Sequence, residues 1–257
     1  MAQRILRPLD YGGILDELFD LYKKHFVLFA GIAGVFFLPV YAIGYAFGQV
    51  GITLAGILTW FGQNAVLAAT TWSVSRVYLG ETVSIGQAYK AVARRFVMFF
   101  LTMLVAGIII GIGSMLCLVP GIIFAFWYAF IAQAFILEGL AGADARNRSK
   151  DLAAGNWGRI LVIYLVTFVC MLVISGALTF PFTMRQIANM RVGVHTTPGV
   201  LQGIAQGLAM TLTSPISVIA FVLLYYDIRV RKEGFDIEML ARNMGQSKPA
   251  PDTAPAA

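Results

Sequence analysis

The amino-acid sequence predicts an all-α integral membrane protein with six transmembrane helices and amphipathic helices at the cytoplasmic interface. Three observations predict this class. Hydrophobic residues make up 59% of the 257 residues and charged residues only 12%, whereas soluble domains carry about 25% charged residues. Long uncharged runs recur along the chain, and each is long enough to cross a bilayer at least once. Lys and Arg cluster at the ends of those runs, where the positive-inside rule places them.

The first element is an amphipathic helix that precedes the first uncharged run. Its apolar face carries Ile14, Leu15, Leu18, Leu21 and Tyr22, a spacing typical of a helix that is half buried. We expect this helix to lie in the cytoplasmic interface, with its apolar face towards lipid or towards the helix bundle. A short soluble helix packed on a neighbour has the same pattern, and the sequence leaves both interpretations open.

Two long uncharged runs each hold two membrane crossings. Residues 26–75 contain no Lys, Arg, Asp or Glu, and two crossings of about 20 residues each fit that length. A second uncharged run covers residues 96–137, and Pro120 and Gly121 break it near its middle. Two further apolar stretches lie between Arg159 and Asp227. The predicted crossings are 26–48, 54–78, 96–118, 121–138, 160–182 and 201–228.

The ends of the crossings are predicted from turn-forming residues. We place the first hairpin turn at Gln49-Val50-Gly51 and the second at Leu118-Val119-Pro120-Gly121. The fifth crossing should end at Pro181, before an outer loop over 183–200, and Pro215 should kink the sixth crossing. Three Gly-x-x-x-Gly pairs predict close helix packing. They are Gly44 with Gly48, Gly107 with Gly111, and Gly203 with Gly207.

A second amphipathic helix is predicted directly before the third crossing. Ser84 and Gln87 have the spacing of a helix capping box. The residues that lead into the third crossing, Arg94-Arg95-Phe96, line up with Lys24-His25-Phe26 before the first, and Arg159-Ile160 gives a weaker third match. The pattern indicates three helix-hairpin repeats of one orientation. The alternative is that any interfacial helix that meets a membrane span looks like this.

Basic residues are distributed unequally between the two sides of the predicted membrane. Segments 1–26, 76–95, 139–159 and 227–257 hold 17 of the 19 Lys and Arg, which predicts that these segments and both termini are cytoplasmic. This arrangement explains the net charge of +6 without a nucleic-acid partner. Residues 1–244 should form one membrane domain, and the Pro- and Ala-rich residues 245–257 a disordered tail. Anionic lipids of the bilayer are expected to contact Lys23, Lys24, Arg94, Arg95, Arg146 and Arg148.

The polar residues within the crossings are uncharged. Gln63, Asn64 and Gln133 form a candidate intramembrane cluster; it would suit a substrate site, although interhelical hydrogen bonding is the commoner reason for such residues. Asp227 lies at the end of the last crossing, where an acidic residue can mark an ion path. Neighbouring arginines and tyrosines instead favour a structural ion pair and an interfacial anchor. The predicted anchor consists of Tyr225, Tyr226, Asp227, Arg229 and Arg231.

The sequence holds few residues suited to catalysis. Its two histidines, His25 and His195, fall in a basic cluster and in the predicted outer loop. No Gly-x-Ser-x-Gly, His-Glu-x-x-His or P-loop pattern occurs in the sequence. The two cysteines, Cys117 and Cys170, lie inside apolar runs. We therefore predict a non-enzymatic protein that has no cofactor and no metal site.

Three stretches, read together, resemble a known family. They are Leu6-Arg7-Pro8-Leu9-Asp10 with Ile14-Leu15-Asp16 and Leu21-Tyr22; Arg148-Ser149 with Gly155-Asn156-Trp157; and Leu224-Tyr225-Tyr226-Asp227-Ile228-Arg229-Val230-Arg231-Lys232-Glu233-Gly234-Phe235-Asp236. Over most of residues 4–240 the chain is similar to the bacterial membrane-domain family named after the membrane part of glycerophosphoryl diester phosphodiesterase. The resemblance implies a multi-pass domain of the bacterial inner (plasma) membrane that stands alone, without the catalytic barrel. The barrel's His-Arg-Gly is missing, since Phe26 follows His25 and Thr196 follows His195, so the family name does not imply this activity here.

The expected function is that of a non-enzymatic membrane module. Such a module would anchor or organise a membrane or cytoplasmic protein partner, or bind lipid. The alternative is a transporter or channel for a small neutral or amphiphilic solute, built around Gln63, Asn64 and Gln133. An open polar cavity that reaches mid-membrane would favour transport, and a core filled by side chains would favour the first class.

The asymmetry of basic residues predicts the topology, which cysteine labelling can test. The single cysteines are placed in a chain from which Cys117 and Cys170 have been removed. Those at Gln49, Val119 and Thr196 should react with an impermeant thiol reagent in intact cells. Cysteines at Thr82, Ala143 and Thr253 should react only after lysis, because the positive-inside rule keeps these segments in the cytoplasm. Labelling at Ala143 in intact cells would overturn the six-crossing arrangement.

Overall fold

The computed structural model describes residues 10–191 and 198–234, and all regular secondary structure within them is helical. The predicted fold class, all-α and integral to the membrane, is confirmed. The predicted tail, residues 245–257, lies outside the described residues. In chain order the helices are α1 (Tyr11–Lys24), α2 (Phe26–Ala46), α3 (Gly48–Tyr78), α4 (Ile85–Ala93), α5 (Phe96–Leu116), α6 (Leu118–Trp127), α7 (Ile131–Leu137), α8 (Gly142–Ala153), α9 (Trp157–Arg191) and α10 (Val200–Glu233).

Six helical segments are long and apolar enough to cross a membrane, so the chain is a multi-pass membrane protein. They are α2, α3, α5, α6 together with α7, α9 and α10. Consecutive spans pack against each other as three hairpins, and one short helix (α1, α4 or α8) precedes each hairpin. The chain therefore consists of three units with the same order of elements.

The last span, α10, is the central helix of the bundle. Of its most apolar 18 residues 72% are buried, against 17–39% for the other spans, and it packs against α1, α2, α3 and α9. Small residues allow this approach: a Cβ added to Gly203 would lie 2.6 Å from the carbonyl oxygen of Tyr41, and one added to Gly207 would lie 3.2 Å from that of Phe37. The close packing predicted for this pair is confirmed. Among the described residues nothing lies near Gly107 and Gly111, so the packing predicted for them is wrong.

The first two hairpin turns lie earlier in the chain than predicted. α2 ends at Ala46 and α3 begins at Gly48, whose φ of +63° glycine adopts readily. α5 ends at Leu116 and α6 begins at Leu118, so Pro120 lies in the first turn of α6. The N–H groups of a first turn have no helical acceptor, and a proline there removes no hydrogen bond. The residues predicted to form the turns are therefore helical.

The fifth span is longer than predicted. α9 continues through Pro181 to Arg191, so the predicted end at Pro181 is wrong, and residues 183–191 of the predicted outer loop are helical. The fixed φ of proline is itself helical, and a proline inside a helix removes one backbone hydrogen bond rather than all of them. Pro215 likewise lies inside α10. His195 lies in the segment 192–197, outside the described residues.

Tyrosine hydroxyls attach two of the short helices to the bundle. The apolar face of α1 is buried in the core around α10, and the Tyr22 hydroxyl donates a hydrogen bond to the Leu212 carbonyl at 3.0 Å. On α4, the Tyr89 hydroxyl donates to the Ile32 carbonyl at 2.7 Å. Burial raises the pKa of both tyrosines to about 12, so both stay protonated donors at neutral pH. The apolar face of α1 is therefore directed towards the bundle, one of the two orientations that the sequence left open.

The fourth span is interrupted. α6 ends at Trp127 and α7 begins at Ile131, and backbone groups at such a break need partners where no water is present. Ser149 of α8 is fully buried and bridges the break. Its hydroxyl donates to the Trp127 carbonyl at 2.7 Å and accepts from the Phe130 N–H at 2.9 Å. One side chain therefore satisfies both edges of the break and fixes α8 to the bundle.

Replacing Ser149 with alanine should destabilise the protein, because a carbonyl and an N–H lose their common partner. A buried polar group left without a partner costs about 1–3 kcal/mol. We expect the free energy of unfolding to fall by that order, measured by denaturant titration in detergent micelles. Thr53→Ala is the matched control, since the exposed Thr53 hydroxyl donates only to the Gln49 carbonyl of its own helix. Equal stability of Ser149→Ala and the unaltered chain would contradict the bridging role.

Candidate functional site

The charged side chains of the bundle converge at one end, where α3, α7 and α10 finish and α8 and α9 begin. We call this the basic end and define it by Arg76, Arg95, Arg148, Arg159 and Arg229. Contacts between the helices join it into one region: α8 reaches both α7 and α10, α9 reaches α10, and α10 reaches α3. It contains the candidate functional site.

Glu138, directly after α7, lies at the centre of an ion-pair network. The Tyr225 hydroxyl donates to Glu138 Oε1 at 2.5 Å, and Arg148 Nε donates to Glu138 Oε2 at 2.7 Å. Arg148 also lies 2.6 Å from Glu233, which Arg229 contacts at 2.9 Å. Hydrogen bonds to Glu233 and to Glu138 raise the pKa of Arg148 above its ordinary value, so this arginine stays charged. The network ties α8 to the ends of α7 and α10.

Asp227 is the centre of a second ion-pair group. Its side chain is 0% exposed, and a buried carboxylate is stable only when it is paired and hydrogen-bonded. Arg159 donates to it from the first turn of α9, and Arg231 Nε donates to it at 3.0 Å from one turn further along α10. The guanidinium of Arg159 also lies over the Tyr11 ring, 5.3 Å from its centroid. These contacts hold the start of α9 and the start of α1 against the end of α10.

The two tyrosines of the predicted interfacial anchor do not face the lipid boundary. Tyr225 is fully buried and Tyr226 is 5% exposed. The Tyr226 hydroxyl forms a hydrogen bond with the Ser75 hydroxyl at 2.7 Å, and its ring stacks on Tyr78 at 5.7 Å. This corrects the sequence prediction. The reason is that other helices enclose α10 at this level, so its aromatic rings contact protein rather than lipid headgroups.

A lysine of α10 binds the C-terminal end of α8. Lys232 Nζ donates to the carbonyls of Asp151 and Ala154 at 2.7 and 2.5 Å. The last carbonyls of a helix lack intrahelical partners and favour a cation. Together with Arg148 and Ser149, this contact gives α8 three separate attachments to the bundle.

The six predicted lipid contacts fall into two groups. Arg148 is engaged by two carboxylates inside the protein, which corrects its assignment as a lipid contact. Arg95 is exposed, yet it donates to the Gly139 carbonyl at 2.9 Å and lies over the Phe135 ring. The remaining four are wholly or partly exposed, and they form no ion pair with any residue that the structure describes. They are Lys23, Lys24, Arg94 and Arg146.

An open cavity of about 810 Å³ lies at the basic end, between the end of α1 and the loop that joins α3 to α4. We call it the basic-end cavity. Its charge is mixed, because both acids and bases line it. Arg76 neutralises one of the acids, Glu81, at 2.8 Å. The lining residues include Asp20, Lys23, Lys24, His25, Val77, Tyr78, Glu81 and Thr82.

The structure does not bring Gln63, Asn64 and Gln133 into one cluster. Gln63 lines a cavity with residues of α9 and α10, whereas Asn64 lines another with residues of α5, because successive helical residues point about 100° apart. The Asn64 amide donates to the Trp60 carbonyl of its own helix at 3.0 Å. Gln133 is buried in α7, and its side-chain oxygen has no hydrogen-bond partner among the described residues. The predicted cluster is therefore three separate positions.

Sequence reasoning missed several residues of this end. Ser149 carries no signal, because a single serine on a polar helix resembles any exposed residue. Arg159 contributes to the predicted orientation and to the third repeat match, and neither pattern shows that it pairs with Asp227. Glu138 is a different case, since a lone acid at the end of a crossing predicts a structural ion pair, as it does for Asp227, and Arg148 supplies that pair. The sequence alone could not show that Arg148 and Tyr225 are its partners.

Within the part of the chain that the structure describes, no group of three or more His, Cys, Asp or Glu side chains is placed to hold a metal ion. No protein-family model, curated protein or solved structure matches the chain. The chemistry of the basic end is therefore the basis for a functional conclusion.

Proposed function

We propose that this chain is a non-enzymatic module of the bacterial inner membrane, and that its basic end binds anionic lipid headgroups on the cytoplasmic side. One observation supports this most directly: the cations of the basic end have two different environments. The arginines that face inward are paired with carboxylates. Exposed cations on α1 and beside α4 form no ion pair with any described residue, and they are Lys23, Lys24, Lys90 and Arg94.

The basic-end cavity suits a phosphate-bearing headgroup. The ammonium groups of two consecutive residues, Lys23 and Lys24, border it, and the Thr82 hydroxyl adds a neutral donor. Lysine is a flexible point charge that binds phosphate well. Val77 and Tyr78 add apolar surface to the same cavity, which would accommodate the start of an acyl chain. Its volume of about 810 Å³ lies within the range of about 300–1,000 Å³ that is usual for small-molecule sites.

Lipid selectivity tests this proposal. Native mass spectrometry of the purified chain should show that phosphatidylglycerol is retained in preference to phosphatidylcholine. In Lys23→Gln/Lys24→Gln this preference should fall about 30-fold, because each basic residue near an anionic surface contributes about 1 kcal/mol.

The chain offers a control with the same change in charge. Arg185→Gln/Arg191→Gln also removes two positive charges, from exposed positions in the last turns of α9, far along that helix from Arg159. This variant should keep the preference for phosphatidylglycerol. Equal retention of both lipids by the unaltered chain, or an equal loss in the two double variants, would count against a site at the basic end.

Organisation of a membrane or cytoplasmic protein partner is the second form of this proposal, since each of the three short helices, α1, α4 and α8, precedes a hairpin and lies at its start. The alternative class, a transporter or channel, receives less support. In the half of α10 nearest the basic end, from Ile216 to Ile228, nearly every side chain is buried. A core filled in this way favours a module that binds at its surface.

The proposal also includes membership of the family that the sequence resembles, without its phosphodiesterase activity. Hydrolysis of a phosphodiester requires groups that stabilise charge on the phosphoryl oxygens and a general acid or base that is free to transfer a proton. Here Glu138, Asp227 and Glu233 are held by arginines, which would oppose a divalent cation. We expect no hydrolysis of glycerophosphodiesters with calcium or magnesium, relative to membranes from cells with empty vector. Turnover that disappears in Glu138→Gln would show that these acids are catalytic.

A further inference from the structure

A cavity of about 230 Å³ lies inside the bundle, between α2, α3, α9 and α10. We call it the mid-span cavity and define it by Gln63, Tyr164, Met171, Met210, Ser214 and Ser217. Gln63 is the middle residue of α3, which spans Gly48–Tyr78. The cavity is therefore far from the basic end and near the centre of the membrane domain.

Gln63 and Ser214 line the mid-span cavity and have no hydrogen-bond partner among the described residues. Gln63 is exposed to the cavity, and its amide forms no hydrogen bond with any residue that the structure describes. The Ser214 hydroxyl oxygen is buried and is likewise without a partner among the described residues. An amide or hydroxyl removed from water without a hydrogen bond costs about 2–7 kcal/mol. Both groups can donate and accept, so each can bind a polar partner that the described residues do not supply.

The threonine hydroxyls of the cavity and that of Ser217 are already satisfied by their own helices. The Thr167 hydroxyl donates to the Ile163 carbonyl at 2.7 Å, and the Ser217 hydroxyl donates to the Ser214 carbonyl at 3.0 Å. None of the described residues that line the cavity is charged. The remaining lining is aromatic or thioether, as in a site for an apolar molecule. The cavity therefore offers unsatisfied polar groups, among them those of Gln63 and Ser214, inside a mostly apolar surface.

The mid-span cavity opens towards the bilayer at α9. Phe168 and Met171 line it, and both are more than a third exposed. A lipid-soluble molecule can therefore enter from the membrane without crossing the helix packing at either end. A volume of about 230 Å³ admits the polar end of such a molecule, while its apolar chain remains in the lipid.

We propose that the mid-span cavity binds a lipid-soluble ligand whose polar end is a single uncharged hydroxyl or carbonyl group. The hydroxyl or carbonyl would hydrogen-bond with Gln63 and Ser214, and the apolar body would contact Met171 and Met210. A charged headgroup is disfavoured, because no described cation or anion lines the cavity to compensate it. This site is separate from the basic end and does not depend on lipid binding there.

Photolabelling tests the site directly. The probe is a long-chain alcohol with a diazirine beside its hydroxyl end, presented to the full chain in phosphatidylcholine vesicles. We expect adducts on peptides that contain Met171 or Met210, and competition by the same alcohol without the diazirine. A hydrocarbon probe with the same chain and diazirine but no hydroxyl should label these peptides at least about fivefold less, which corresponds to one lost hydrogen bond.

Two variants and one control separate ligand binding from general lipid contact. Gln63→Leu and Ser214→Ala should each reduce labelling by the alcohol about fivefold. Asn64→Leu is the matched control, since this neighbouring residue of α3 lines a different cavity and its loss should leave labelling unchanged. Circular dichroism and elution volume of each variant verify that it is folded. Equal labelling by the alcohol and the hydrocarbon, or full labelling in Gln63→Leu and Ser214→Ala, would overturn the proposal and leave a cavity filled by water or bulk lipid chains.

Discussion

The pairing of buried carboxylates with arginines is the interaction on which the rest of the basic end depends. Packing around α10 removes Asp227 from water and leaves the Glu138 side chain only 17% exposed, and breaking a buried ion pair costs about 3–5 kcal/mol. Arginines of α8, α9 and α10 must therefore lie against these acids. The pair between Arg159 and Asp227 holds the start of α9 against α10, and the pair between Arg148 and Glu233 holds α8 against the end of α10. The central helix and the short helices around its end are stable only as one assembly.

The same pairing separates the cations into two groups. The inner group consists of arginines that are paired with carboxylates. The outer group consists of the exposed residues Lys23, Lys24, Lys90 and Arg94. Arginine is suited to the inner group, because its planar fork binds carboxylates in a fixed geometry. Lysine dominates the outer group, on α1 and α4, where a flexible ammonium can reach lipid phosphates. Net charge alone would not distinguish the two groups. Among the described residues, the cations of the outer group form no ion pair, and the proposed lipid site depends on that difference.

Polar groups inside the bundle are accommodated in three ways. Asp227 is paired with arginines, and the broken fourth span is bridged by Ser149. The third way differs, because Gln63 and Ser214 face a cavity without a partner among the described residues. A membrane interior contains little water to satisfy such groups. The mid-span cavity is therefore a position where a ligand would stabilise the fold as well as bind to it.

The sequence by itself determined the number of spans and the short helices before the first two hairpins, because hydropathy and capping depend on residues close together in the chain. The capping box at Ser84, for example, forms with both of its hydrogen bonds. Turns were predicted less well, since Pro120 and Pro181 are compatible with helix where a turn was expected. Only the tertiary structure decided that α10 is central and that Tyr225 donates to Glu138, 87 positions away. Contacts of that kind depend on how whole helices pack, and no local pattern in the chain records them.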